Sequence, residues 1–244
     1  MSGGWGQDWT VGRRIAPVHR LDLAFEPGGW SEMAPRRGEI ETHFARRAAD
    51  NPHLWNGPIL LLARHGFTDG VLSGAFRQTD FAAFTFWRDE GWKDEGMVNA
   101  FALAAIEGSD GGFVLGVMGQ HTASAGRIYF PGGTPDPSDI TSDKRVDLHA
   151  SMLRELTEET GLLPADILRD DGFTGLFDGP RVALMGRLVF DAPAEDLAAR
   201  IRTFLAAETH PELADVAVVK SEADLTPAMA PFAVDYMRWR WAGN

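Results

Sequence analysis

Fifteen residues, DLHASMLRELTEETG at positions 147–161, constrain this chain more than any other stretch. Asp147 is a favoured N-cap residue and Gly161 a favoured helix stop, so the span predicts a helix over 148–160. On a helix, residues three and four apart share a face, which sets Glu155 beside Glu158 and Glu159 with Arg154 one turn from Glu158. Like charges so placed repel unless something positive sits over them. A hard divalent cation answers that need, because Mg²⁺ takes oxygen ligands and shares them with substrate phosphates.

The residues before the helix fit the same purpose. RIYF, 127–130, reads as a strand running into Pro131-Gly132-Gly133, and a long loop covers 134–146. The two glycines let backbone approach a ligand closely, so that its carbonyls can join the carboxylates around a metal. An isolated RELTEE would be a solvated helix face with an Arg154–Glu158 pair. Strand, Gly-Gly loop, helix and cap in that order argue for a metal site instead.

The stretch resembles the signature of the Nudix hydrolase superfamily, G-x5-E-x7-R-E-U-x-E-E-x-G-U with U a bulky apolar residue. Gly133 fits the first glycine, and Arg154, Glu155, Leu156, Glu158, Glu159, Gly161 and Leu162 fit the second half, so the signature spans 133–162. The first half departs from the pattern. Counted from Gly133, the early acidic position falls on Asp139; counted back from Arg154, it falls on Val146 with Asp147 adjacent. Fourteen residues, 140–153, stand where the pattern has seven.

The resemblance implies an α+β protein of Nudix fold, a mixed β-sheet between helices, that hydrolyses X-linked nucleoside diphosphates with Mg²⁺ or Mn²⁺. It implies Glu158 and Glu159 as main metal ligands, Glu155 as a further ligand or water-orienting group, Gly133 as a carbonyl donor, and Arg154 as the residue that holds the glutamates. The general base in such proteins comes from the helix or from a later loop, and Glu222 is the candidate from a later loop. A homodimer formed through the N-terminal segment is a further implication.

The rest of the chain divides near Glu95 into an N-terminal α/β extension, 1–95, and a main domain, 96–244. The first fifteen residues read as a loosely held tail. Strands are expected in 18–27 and 57–66, a helix over 36–52 with Ile40, Phe44 and Ala48 at four-residue spacing, and a strand running into a short helix over 70–87. In the main domain, 99–120 reads as a hairpin turned by Ser109-Asp110-Gly111-Gly112. A strand over 181–190, a helix over 195–208, a strand over 214–221 and a closing helix over 231–241 complete the pattern.

A formal net charge of −12 excludes a nucleic-acid polymer as a simple electrostatic partner, leaving a small phosphorylated ligand. With no cysteine, the chain has no disulfide, thiolate metal site or cysteine nucleophile. No apolar run reaches the ~18 residues of a membrane span, and a cytoplasmic setting is expected.

For the substrate, NPHLWNGPILLL, 51–62, resembles the segment preceding the catalytic domain in Nudix hydrolases of UDP-sugars, implying a nucleotide sugar such as UDP-glucose. Alternatives are coenzyme A, ADP-ribose, or a catalytically weak Nudix-fold nucleotide-binding module. Arg127 and Arg181, near the ends of strands, are candidate phosphate contacts. Phe81, Phe84, Phe86 and Trp87 are expected in a core rather than against a base, and His149 is expected to face away from the glutamates.

Overall fold

The computed structural model describes residues 13–93 and 96–243. The first twelve residues and the expected boundary at Glu95 lie outside the described residues. The N-terminal part forms β1 (Arg14–Val18), β2 (Arg20–Phe25), α1 (Arg37–Asp50), β3 (Pro58–Thr68), β4 (Val71–Asp80) and α2 (Phe81–Asp89). The remainder forms β5 (Asn99–Glu107), β6 (Phe113–Met118), β7 (Ile128–Tyr129), β8 (Gly132–Gly133), α3 (Leu148–Thr160), β9 (Ile167–Asp178), β10 (Arg181–Phe190), α4 (Ala194–Ala207), β11 (Leu213–Val219) and α5 (Pro231–Trp241).

The main sheet runs β1-β9-β10-β5-β6-β11, with β7 added to β6 and β8 to β5. A second sheet runs β2-β4-β3. Both are mixed: β10 pairs with β5, and β2 with β4, in parallel. Every residue of β5 is buried, and its alternation sorts them between two helical layers. Ala100, Ala102 and Ala104 meet Leu148, Met152 and Leu156 of α3 and Leu197 and Ile201 of α4. Phe101, Leu103 and Ala105 meet Ala233, Tyr236 and Met237 of α5. The sheet is therefore sandwiched between helices, as the α+β reading expected. The small alanines let α3 come close to the strand that carries β8.

The N-terminal sheet is likewise covered on two sides. Leu23, Leu60, Leu62, Leu72 and Phe76 share the core of α3, while Ile59 and Leu61 face Ile40, Phe84 and Trp87 from α1 and α2. Phe84, Phe86 and Trp87 are buried core residues and Phe81 packs against them, as expected.

Several expectations are corrected. The strand expected over 18–27 is two strands: His19 and Arg20 donate their N–H groups to the Gly70 carbonyl, β1 goes to the main sheet and β2 to the small one. Arg14 and Ile15 belong to no loose tail, since they pair with Phe177 and Leu176 of β9. β9 itself has no counterpart in the sequence reading. Its first half carries Arg169, Asp170 and Asp171 in exposed positions, and burial begins only at Gly175, which hides the alternation that marks a strand. No helix among the described residues is long and apolar enough to cross a membrane.

One prediction arises from the β5–β6 hairpin. Pro193, the N-cap of α4, offers no capping side chain; Asp110 does so from the hairpin, accepting from Ala194 N (3.0 Å) and pairing with Lys220 (2.7 Å). Lys220 and the backbone N–H groups of Ala194 and Gly112 lower its pKa from 3.8 to about 2. A folded-state value below the unfolded one stabilises above the unfolded pKa and ceases to do so as pH falls through the folded one. Asp110→Ala should cost about 1 kcal/mol at pH 7, lowering Tm by roughly 2–4 °C. In thermal melts the difference from wild type should narrow between pH 3.8 and about 2.

Candidate active site

The helix α3 is fixed at both ends. The Asp147 carboxylate accepts from His149 N (3.1 Å) and Ala150 N (2.9 Å). Gly161 closes the helix in the left-handed region (φ 69°), where a Cβ would also lie 2.5 Å from the Phe204 ring of α4. Only glycine fits both demands. Leu162 is fully buried behind it.

Between these ends, the last turns hold the three glutamates and no basic residue. The C-terminal end of a helix is its negative pole, so carboxylates there are disfavoured by the dipole as well as by one another. Glu159 is 6% exposed; its Oε1 lies 3.4 Å from Gly132 N, which donates to it. Its Oε2 is buried with no hydrogen-bond partner. Burial, then Glu212 and Glu155, push its pKa well above the ordinary carboxylate value. Burial raises Glu155 too, with Arg154 opposing. An unpartnered buried carboxylate oxygen among other carboxylates is a costly arrangement that a divalent cation would satisfy, and the all-oxygen donor set suits Mg²⁺ or Mn²⁺.

Arg154 organises the cluster. It donates to Glu155 (2.6 Å), Glu158 (3.0 Å) and Asp139 (3.1 Å). Among the described residues, no group of three acidic or histidine side chains is already gathered around one point as a bound metal would require. Arg154 draws Glu155 and Glu158 toward itself, while Glu159 stays against Gly132.

The long loop before α3 closes on itself. Ile140 bridges Val146, Thr141 N donates to the Arg145 carbonyl (2.9 Å), and Asp147 N donates to the Asp139 carbonyl (3.0 Å). Residues 140–146 thus leave and return as a small hairpin that brings Asp139 next to Asp147. Asp139, 7% exposed, lies against Arg154, and Asp147 is the helix cap. The N-terminal sheet holds the excursion: Phe25 N donates to Lys144 O (2.8 Å), Val146 N to Leu23 O (3.0 Å), and Leu60 N to Pro135 O (2.7 Å).

In β8, Gly133 pairs with Ala102 and Gly132 with Leu103. Gly132 is the constrained residue, with φ at +130° and a Cβ position only 2.3 Å from the Ala102 carbonyl oxygen. Gly133, the expected carbonyl donor, has open space at its Cβ position.

Two further carboxylates that the sequence did not disclose line a cavity of about 170 Å³ with Glu155, Glu158, Glu159, Phe204 and His210: Glu208, at the end of α4, and Glu212, just before β11. Glu212 is solvent-exposed, yet its carboxyl is hemmed in by protein, which raises its pKa; His121 opposes the rise and Glu158 adds to it. Only the pairing of β11 with β6 brings this residue to α3, and the available sequence signal was no more than an acid at the start of a strand.

The other candidates fall elsewhere. Glu222, the general-base candidate from the sequence, is exposed and held by three hydrogen bonds from Arg238 of α5. Arg127 is exposed ahead of β7, and its charge reaches Tyr129, which also lies in the field of Glu159 and Glu212. Arg181 stands apart from the glutamates. It pairs with Asp178 and lines a separate cavity of about 430 Å³ with Phe101, Phe232 and Trp239, on the α5 face of the sheet. His149 pairs with Asp170 (2.6 Å) rather than with the glutamates.

No family model and no curated protein matches the chain. Among solved structures it is similar to the MutT protein from Methanosarcina mazei Go1, at 20% identity and a TM-score of 0.37 over 59% of this chain and 94% of that one. It is similar to a nudix hydrolase family member from Chromobacterium violaceum, at 20% identity and a TM-score of 0.36 over 59% and 77% of the two chains. A third is a bifunctional NMN adenylyltransferase/ADP ribose pyrophosphatase from Francisella tularensis, complexed with AMP and a manganese ion. There the identity is 12% and the TM-score 0.43, over 66% of this chain and 45% of that one. With TM-scores under 0.5, none of these likenesses transfers a residue role or a substrate to this chain.

Proposed function

We propose that this chain is a Nudix hydrolase that cleaves the pyrophosphate bond of a nucleoside diphosphate joined to another moiety, by metal-assisted attack of water on phosphorus. The observation that carries the reading is Glu159, buried with an unpartnered oxygen beside Gly132 and crowded by Glu155 and Glu212. Glu155, Glu158 and Glu159 would hold Mg²⁺ or Mn²⁺, with Gly133 lending its carbonyl and Glu212 at the other side of the cavity. When bound, the ion neutralises charge on the bridging phosphates and lowers the pKa of water.

The protein's own groups supply the rest. Arg154, oriented by buried Asp139, keeps Glu155 and Glu158 in place. Gly132 N steadies Glu159. Glu212 is the candidate general base, since it lines the cavity and its raised pKa suits it to accept the proton of the attacking water. Arg127 is the candidate phosphate contact. The favoured substrate is a nucleotide sugar such as UDP-glucose, supported by the 51–62 segment; ADP-ribose and coenzyme A are the alternatives.

The test is hydrolysis of UDP-glucose, ADP-ribose, coenzyme A and diadenosine polyphosphates by the full chain, with Mg²⁺, with Mn²⁺ and with chelator, products being identified by mass spectrometry. Cleavage of at least one compound into two phosphate-bearing halves, only with metal, is the expected result. Folded protein that cleaves none of them under any condition contradicts the assignment. A nucleotide-binding module without turnover is the second reading. The engagement of Glu155 and Glu158 by Arg154 favours it, and it predicts nucleotide binding in the same assay without products.

A further inference from the structure

Trp55 is 75% exposed, far more than a side chain of its size and apolarity favours, yet its surroundings are built with care. The loop that carries it, 51–57, joins α1 to β3 and is tied down at both ends. Asn51 donates from Nδ2 to the carbonyls of His121 (3.0 Å) and Thr122 (3.3 Å), and its Oδ1 accepts from His53 N (3.1 Å). Asn56 Oδ1 accepts from Ala82 N at the start of α2 (2.7 Å), and Phe81 N donates to Gly57 O (2.9 Å). The indole lies over Gly57 so closely that a Cβ there would sit 2.1 Å from Cζ3. A side chain larger than glycine's at 57 would displace the ring.

A chain of contacts links this mount to the glutamate cavity. The His53 ring meets the His121 ring edge-on with centroids 5.9 Å apart. The His121 ring covers Gly119, whose N–H donates to the Glu212 carbonyl (2.8 Å). Glu212 lines the cavity of Glu155, Glu158 and Glu159. An aromatic face open to solvent, on a loop tied by two asparagines and linked to the glutamate cavity, is a platform for a flat ring. Stacking on an indole tolerates any base, because every base offers a π-face.

We propose that Trp55 is a specificity-determining residue on which the base of the nucleoside diphosphate substrate stacks, so that the N-terminal segment supplies part of the substrate site. The inference rests on the hydrolase reading above. The test uses the full chain and two readouts. Indole fluorescence is titrated with UMP, AMP and ribose 5-phosphate, in wild type and Trp55→Phe. Steady-state kinetics on the best substrate of the panel compare wild type with Trp55→Ala.

Both nucleotides should quench a component of the emission that Trp55→Phe lacks, while ribose 5-phosphate, which has no base, should not. Trp55→Ala should raise KM about tenfold with kcat changed less than twofold, the size expected for loss of one stacked ring. Trp55 is so exposed that neither variant should alter Tm, and an unchanged melt confirms that KM reports contact rather than folding. Turnover with unaltered KM in Trp55→Ala overturns the platform alone and leaves the hydrolase reading standing. So does a fall in oligomeric mass in Trp55→Ala with KM unchanged, which would assign the indole to a second copy of the chain. Silence in both readouts from folded protein overturns the platform and the hydrolase reading together.

Discussion

Glu159→Gln is expected to reduce metal-dependent hydrolysis by about 10²–10³-fold while making the metal-free protein more stable. The two effects have one cause. Glu159 is buried, one of its oxygens has no partner, and burial with the nearby Glu212 and Glu155 raises its pKa. A folded-state pKa above the unfolded one means that the folded protein binds more protons, so this group's contribution to stability worsens as pH rises above the unfolded value near 4.5. Glutamine removes the charge and keeps the shape. Near pH 7, without metal, the variant should gain about 1–3 kcal/mol, a rise in Tm of several degrees. Its melts should also depend less on pH above 4.5 than those of wild type. Mg²⁺ should raise the Tm of wild type and leave the variant unmoved, since binding stabilises by mass action only where the site survives. A variant that loses stability and keeps turnover would remove Glu159 from the site.

The second large effect concerns backbone. Gly132→Ala forces a side chain into a φ of +130° and places its Cβ 2.3 Å from the Ala102 carbonyl oxygen, a backbone atom of the central strand. The strain and overlap together should cost roughly 2–5 kcal/mol, lowering Tm by on the order of 10 °C. The folded fraction should also lose turnover, because Gly132 N holds Glu159. Gly133→Ala is the control for stability: its Cβ would meet nothing within 4 Å, so its melt should stay near that of wild type. Equal melts for the two variants would contradict the steric account.

These two residues also show what the sequence disclosed and what it did not. The helix α3, its caps and the shared face of Glu155, Glu158 and Glu159 were legible because capping and helical period are local. The same holds for the hairpin of β5 and β6. Which glycine is sterically obligatory was not legible, for that depends on the approach of β8 to Ala102. The ambiguity between Asp139 and Asp147 arose from seven added residues that close on themselves, a closure no local pattern shows. Glu212 was invisible because a strand pairing brings it in, and the pairing of Glu222 with Arg238 of α5 is equally out of reach of local pattern. Arg181 was placed near the site by its position at a strand end, but which face a cavity opens on is set by how helices pack.

The extension and the inserted hairpin explain one another. Residues 140–146 lie against β2, and Arg145 reaches Asp22 of that strand. Without the N-terminal sheet, the loop that delivers Asp139 to Arg154 would lose the backbone bonds from Phe25 and Leu60 and to Leu23.

The most direct measurement is hydrolysis of UDP-glucose by the full chain in water enriched in ¹⁸O, with Mg²⁺, products being weighed by mass spectrometry. UMP and glucose 1-phosphate are the expected products, one of them carrying a single ¹⁸O on its phosphate, with no products under chelation and little from Glu159→Gln. Intact UDP-glucose, together with intact ADP-ribose and coenzyme A under the same conditions, would contradict the hydrolase reading.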